Sequence, residues 1–237
     1  MENHNHCSKN SNLKHISRLE YVKEELIHHL PYAIFSLALG LIILSILEFI
    51  IAPYKVDNSI IIKKMIKKSF HTMFHSFHFL HILFATTGTI ITFFRYSNNI
   101  LRGLIIGTIV PTFFCILSDI LVPYACGKLM GVNMHFHICF YSELKNVLPF
   151  LIVGIINGFA LKNYHSSMLA IFSLGSHFIH VLISALASLF YMVSHGFNDW
   201  SFQMGYLFIV LLIAVVIPCT FSDIVIPLYF AASNEEQ

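Results

Sequence analysis

Apolar residues in this chain run in long stretches with few breaks, and runs of that length predict helices that cross a bilayer rather than helices with one wet face. The stretches fall near 30–52, 70–94, 103–125, 147–161, 168–194 and 203–230, most of them close to the roughly 20 residues that a hydrocarbon core requires. Polar or glycine-bearing segments separate them: Tyr96-Ser97-Asn98-Asn99, Gly127 to His137, Lys162-Asn163-Tyr164-His165 and Gly196-Phe197-Asn198-Asp199. Lys63, Lys64, Lys67 and Lys68 flank the second stretch as headgroup anchors, and Pro31 and Pro149 suit the first turn of a helix. The expected fold class is an all-α integral membrane protein with six transmembrane helices.

The two halves of the chain repeat one another. Glu25-Leu26 and Leu30-Pro31-Tyr32 recur as Glu143-Leu144 and Leu148-Pro149-Phe150 at an offset of 118, and Gly40 recurs as Gly158. His78-Phe79-Leu80-His81 matches His177-Phe178-Ile179-His180, and Cys115 through Ser118-Asp119 to Pro123 matches Cys219 through Ser222-Asp223 to Pro227. Apolar composition alone does not set Cys, Ser, Asp and Pro at one spacing twice. A duplicated unit of three spans must insert upside down relative to its copy, so the expectation is two inverted-topology three-helix repeats, a transporter architecture. The boundaries follow: a polar, histidine-bearing tail 1–24, a first repeat 25–126, a connecting loop 127–142, a second repeat 143–230 and a tail 231–237.

Composition sharpens this picture. Of 237 residues, 57% are hydrophobic and 11% charged, where a soluble domain carries about 25% charged. Six spans leave no room for a separate soluble catalytic domain. A net charge of +2 gives no reason to expect a nucleic-acid partner. Basic residues divide equally between the two sets of loops, seven and seven, so the positive-inside rule sets no orientation. The first thirty residues lack the pattern of a cleaved signal, and the first span is expected to remain as an anchor. Five cysteines (Cys7, Cys115, Cys126, Cys139, Cys219) without framework spacing are expected to be reduced. Fifteen histidines are the odd feature, because a buried imidazole needs a partner, a proton or a metal.

The polar motifs supply such partners. His78 and His81, or His177 and His180, share a helix face at i and i+3, with His71 and His75 extending the first pair's face; Cys115 with Asp119, and Cys219 with Asp223, share one at i and i+4. Pro123 and Pro227 lack an N–H and are expected to free the backbone carbonyls of Asp119 and Asp223. Counting from the turns sets the histidine and aspartate motifs of each half level, within reach if their helices are neighbours. The candidate metal ligands are therefore His78, His81, Cys115, Asp119, His177, His180, Cys219 and Asp223, supported by His71, His75, Ser118, Pro123, Ser222 and Pro227. Blander roles stand beside these: packing for His71 and His75, apolar filling for the cysteines and capping for the serines; for His4, His6, Cys7, His135, His137 and Cys139 weak holding of soft metals stands against the ordinary reading as flexible polar ends. Glu25, Glu143 and Glu48 are either helix-dipole or snorkelling residues, or carboxylates of an ion path.

At the Leu-Pro-Tyr/Phe span starts (Leu30 to Tyr32, Leu148 to Phe150) and the Ser-Asp-x-x-x-Pro segments (Ser118 to Pro123, Ser222 to Pro227), the chain resembles the multi-spanning heavy-metal exporters, ten-helix permeases described as manganese or arsenic efflux proteins. The resemblance implies export of a metal or metalloid, and the chain departs from it in having six helices rather than ten. The residues point first to a multi-pass cell-membrane transporter of a divalent transition metal (Mn, Fe, Zn, Co or Ni), without enzymatic activity, with protons as a candidate coupling ion because they compete for the same ligands. Its partners are the lipid bilayer and the ion; self-association is left open. The rivals are a histidine-rich membrane metalloenzyme acting on a lipid and a b-type haem protein.

Overall fold

The computed structural model describes residues 18–56, 59–138, 143–162, 168–197 and 200–232. His4, His6, Cys7, Cys139, Asn163, Tyr164, His165, Asn198, Asp199 and the side chain of Glu25 lie outside what is described. In chain order the helices are α1 (Arg18–Val56), α2 (Ile60–Tyr96), α3 (Ile100–Ile116), α4 (Val122–Leu129), α5 (Leu144–Leu161), α6 (Met168–Ser194), α7 (Met204–Thr220) and α8 (Ile226–Ala232). Among the described residues six helices are long and apolar enough to cross a membrane, α3 with α4 and α7 with α8 each counting as one. Phe35, Ile42, Phe49, Ile105, Ile109, Ile156, Ile209 and Ile213 stand exposed on the outside of the bundle, an arrangement suited to an apolar surround.

Two local expectations change. Pro31 lies well inside α1, which begins at Arg18, and Pro149 sits at the sixth position of α5. The segment before Pro31 is rich in Leu, Glu and Lys, good helix formers, so the helix continues through a proline whose missing N–H removes one hydrogen bond. The four lysines likewise stand on the exposed first turns of α2 rather than before it.

The centre of the bundle is built by α2 and α6. No described residue of α6 after Ile179 is exposed, because α1, α2, the Leu117–Leu121 turn and α7 surround it. The first helix of each half leans on the second helix of the other: α1 packs on α6, and α5 on α2, whereas α1 barely touches α2. Glycine permits both approaches. A Cβ on Gly40 would lie 3.2 Å from Leu189 Cδ1, and a Cβ on Gly158 would lie 2.8 Å from Ile90 Cβ. Gly40 and Gly158 are 118 positions apart, Ile90 and Leu189 are 99 apart, and the histidine motifs share that second offset.

Both Ser-Asp motifs interrupt their helices with one wide turn, Leu117–Leu121 between α3 and α4 and Phe221–Val225 between α7 and α8. In each, an i to i+5 bond replaces i to i+4: Val122 N–H donates to Leu117 O, and Ile226 N–H to Phe221 O. Such bulges are rare and frequently mark functional sites.

Candidate metal centre

The wide turn at Leu117–Leu121 places Asp119, fully buried, against α2. His78 and His81 sit one turn apart there, and both Nδ1–H groups donate to the same oxygen, Asp119 Oδ2, at 2.8 and 2.7 Å. The other oxygen, Oδ1, accepts from the hydroxyls of Ser118 at 2.8 Å and Ser184 at 3.0 Å. Four donors thus occupy this carboxylate. With Nδ1 turned to the carboxylate, Nε2 is the ring atom each imidazole has left for another partner, and His78 Nε2 is buried with no hydrogen-bond partner.

The second motif is built alike but less completely. His180 Nδ1–H donates to Asp223 Oδ2 at 2.7 Å. Asp223 Oδ1, the Ser222 hydroxyl and His180 Nε2 are buried without a hydrogen-bond partner. Position 85, the counterpart of Ser184 at the offset of 99, is alanine and supplies no hydroxyl. Gly88 lines the other side, where a Cβ would come 3.3 Å from Asp223 Oδ2.

The two motifs meet. The His81 and His180 rings are 4.8 Å apart between centroids, and Cys219 Sγ lies 3.6 Å from His81 Nε2 and 3.7 Å from Ser184 Oγ. His81, His180 and Cys219, all buried, each present a ligand atom within 4.8 Å of the others, and His177, His180 and Asp223 form a second such group. Zn–N bonds of about 2.0–2.1 Å and Zn–S bonds of about 2.3 Å place tetrahedral ligand atoms closer together than the 4.8 Å within which this group falls, so the side chains would have to move inward to hold an ion. Imidazoles steered from behind by carboxylates are the usual support of metal-binding histidines. Buried nitrogen atoms with no partner are the structural sign that something else satisfies them.

Cys115 joins the apolar cluster of Phe79, Ile82, Ala85, Val147 and Leu151 and also lies within side-chain hydrogen-bond reach of His81, but it is outside the groups of three converging ligands among the described residues. His71 and His75 stand part-way along α2, ahead of His78 and His81, and form their own group with His137. In the wide register the partner of Ser118 O would be residue 123, which is proline, and the Ser188 hydroxyl, also 2.9 Å from Ser184 O, reaches it at 3.1 Å. Thr89 Oγ1 donates to Ser222 O at 3.0 Å in the same way. The carbonyls next to both aspartates thus have hydroxyl partners from a neighbouring helix.

Sequence reasoning missed Ser184, Ser188, Thr89 and Gly88. Extending the offset of 99 past the histidines would have found one pair, since it sets Thr89 against Ser188. Ser184 gives no such signal, because its counterpart is Ala85. No family model, curated protein or solved structure matches the chain.

Proposed function

We propose that this protein is a membrane carrier for a divalent transition-metal ion, in which two three-helix units of opposite orientation share one buried site. The observation that carries the proposal is the convergence of His81, His180 and Cys219, with both imidazoles held at Nδ1 by an aspartate of their own half. The mixed nitrogen and sulfur set suits zinc, cobalt, nickel or iron, and Asp223, with an oxygen to spare, can join it. Imidazole rings in near contact favour a single ion between them over a porphyrin, which would need a wider slot.

The inverted repeat is supported by contacts that recur across the halves. Gly40 meets Leu189 as Gly158 meets Ile90, and Ser188 serves Ser118 O as Thr89 serves Ser222 O. In carriers built this way, substrate binds near mid-membrane between the repeats, and one repeat rocks against the other. Asp119 then works as an orienting group and Asp223 as a ligand. Protons arriving at the same imidazoles and carboxylates compete with the metal and provide a coupling route. Export is the direction that the resemblance to heavy-metal exporters suggests.

Metal analysis of the purified protein, followed by uptake into proteoliposomes, tests this reading. His180→Ala and Cys219→Ala are expected to remove the metal equivalent held by the central site and to abolish flux. Undiminished flux in both Asp119→Asn and Asp223→Asn would overturn it.

A further inference from the structure

A second set of imidazoles gathers beside the end of α6, about a third of the way along α2, where the loop after α4 returns to the bundle. His71 and His75 are successive-turn neighbours with ring centroids 4.3 Å apart. His137 comes from the loop and lies 5.6 Å from His71 and 5.9 Å from His75, again between ring centroids. One ligand atom from each of the three falls within 4.8 Å of the others. His195, just past α6, adds a fourth ring, 5.6 Å from His71 and stacked on His137 at 5.8 Å.

The arrangement is held by contacts of its own. His135 N–H donates to His195 O at 3.1 Å, and the Tyr191 hydroxyl sits against the backbone of His137. Gly196, at a φ of +127°, lets the loop pass: a Cβ there would be 2.9 Å from Asn133 O. His195 Nδ1–H donates to Tyr191 O at 2.8 Å, which leaves Nε2 as its lone-pair atom. His75 Nε2 and His137 Nε2 are shielded from solvent and have no hydrogen-bond partner.

We infer that His71, His75, His137 and His195 form a second, all-imidazole transition-metal site at the end of the bundle. Imidazole donors without sulfur, with the Glu143 carboxylate near enough to act on His71 and His75, suit zinc, cobalt, nickel or copper(II) rather than calcium or magnesium. His78 and His81 continue along α2, with His81 about 9 Å beyond His75 at 1.5 Å per residue. The end site therefore serves as the loading station for the central one, a role that rests on the carrier reading, whereas its ability to bind metal does not.

Cobalt(II) titration of the purified full chain, followed by absorption, tests both points. Tetrahedral cobalt held by nitrogen gives a visible d–d band alone, and cobalt held by Cys219 adds near-ultraviolet thiolate charge transfer. His71→Gln with His137→Gln is expected to remove one cobalt equivalent and its d–d component while leaving charge transfer intact; Cys219→Ser is expected to do the reverse. His137→Gln alone, a change confined to the loop, is expected to weaken that equivalent by about tenfold or more and to raise the apparent KM for uptake with kcat kept. A double variant that binds as much cobalt as the parent, with the same spectrum, overturns the proposal. A parent with the d–d component sensitive to His71 and His137 but without charge transfer supports the end site and counts against the central one.

Discussion

The two Ser-Asp turns have the same sequence pattern and the same wide backbone, yet they differ in how many partners close around the carboxylate. Asp119 is fully engaged, by two imidazoles on one oxygen and two hydroxyls on the other. Asp223 holds His180 and keeps an oxygen without a hydrogen-bond partner. One residue makes much of the difference, Ser184 against its counterpart Ala85. A duplicated motif can thus diverge in role while its backbone stays fixed: a saturated carboxylate orients other groups, and an unsaturated one can bind a cation.

Removing Asp119 should give the largest effect. Asp119→Ala strips four donors of their acceptor in a dry interior, a loss in the range of about 3–5 kcal/mol for breaking a buried charged pair, and thermal unfolding in detergent should show it. Asp223→Asn should leave the melting temperature within a few degrees of the parent but weaken the metal equivalent of the central site. Equal melting losses in the two variants would erase the distinction drawn between them.

The cysteines give the next contrast. Cys219→Ser should abolish thiolate-to-cobalt charge transfer. Cys115→Ser should keep it, at a cost of about 1–3 kcal/mol for placing a hydroxyl in an apolar cluster. Loss of charge transfer in Cys115→Ser would mean that both thiols bind.

The interlocking glycines come third. Gly158→Ala meets the stiff branched Cβ of Ile90 at 2.8 Å and should destabilise by about 1–3 kcal/mol. Gly40→Ala meets only the tip of Leu189 at 3.2 Å and should be close to neutral. Smallest of all, Ser188→Ala and Thr89→Val each remove one hydroxyl from a proline-orphaned carbonyl and should cost about 1 kcal/mol apiece by denaturant melting. Similar values for the two would strengthen the case for the repeat, and a large disparity would weaken it.

Much of this was legible in the sequence, for definite reasons. The six helices were readable because bilayer-length apolar runs have few alternatives. The meeting of His78 and His81 with Asp119 was readable because spacing fixes helix face and counting from a turn fixes depth. The exchange of first helices between halves was not, since no local period says whether α1 lies on α2 or on α6. Nor could Ser184 be told from any other serine in an apolar helix. His137 and His195 are 58 positions apart in sequence, and what stacks them is a loop crossing at Gly196, a tertiary event. The reach of α1 past Pro31 was missed because proline was given more weight than the helix formers before it.

Each wide turn contains one more residue than an α-helical path would need. That surplus residue acts as slack in the backbone: taking it up would rotate everything beyond it by about 100°, the angle per residue of an α-helix. Pro123 and Pro227 lie just past the turns and would swing with their segments, while α3 and α7 stayed in place. Deleting Ile120 or Ile224 should therefore close the bulge and leave α4 or α8 facing as before, whereas keeping every residue and tightening the turn to an α-helical one would turn that segment like a key in a lock.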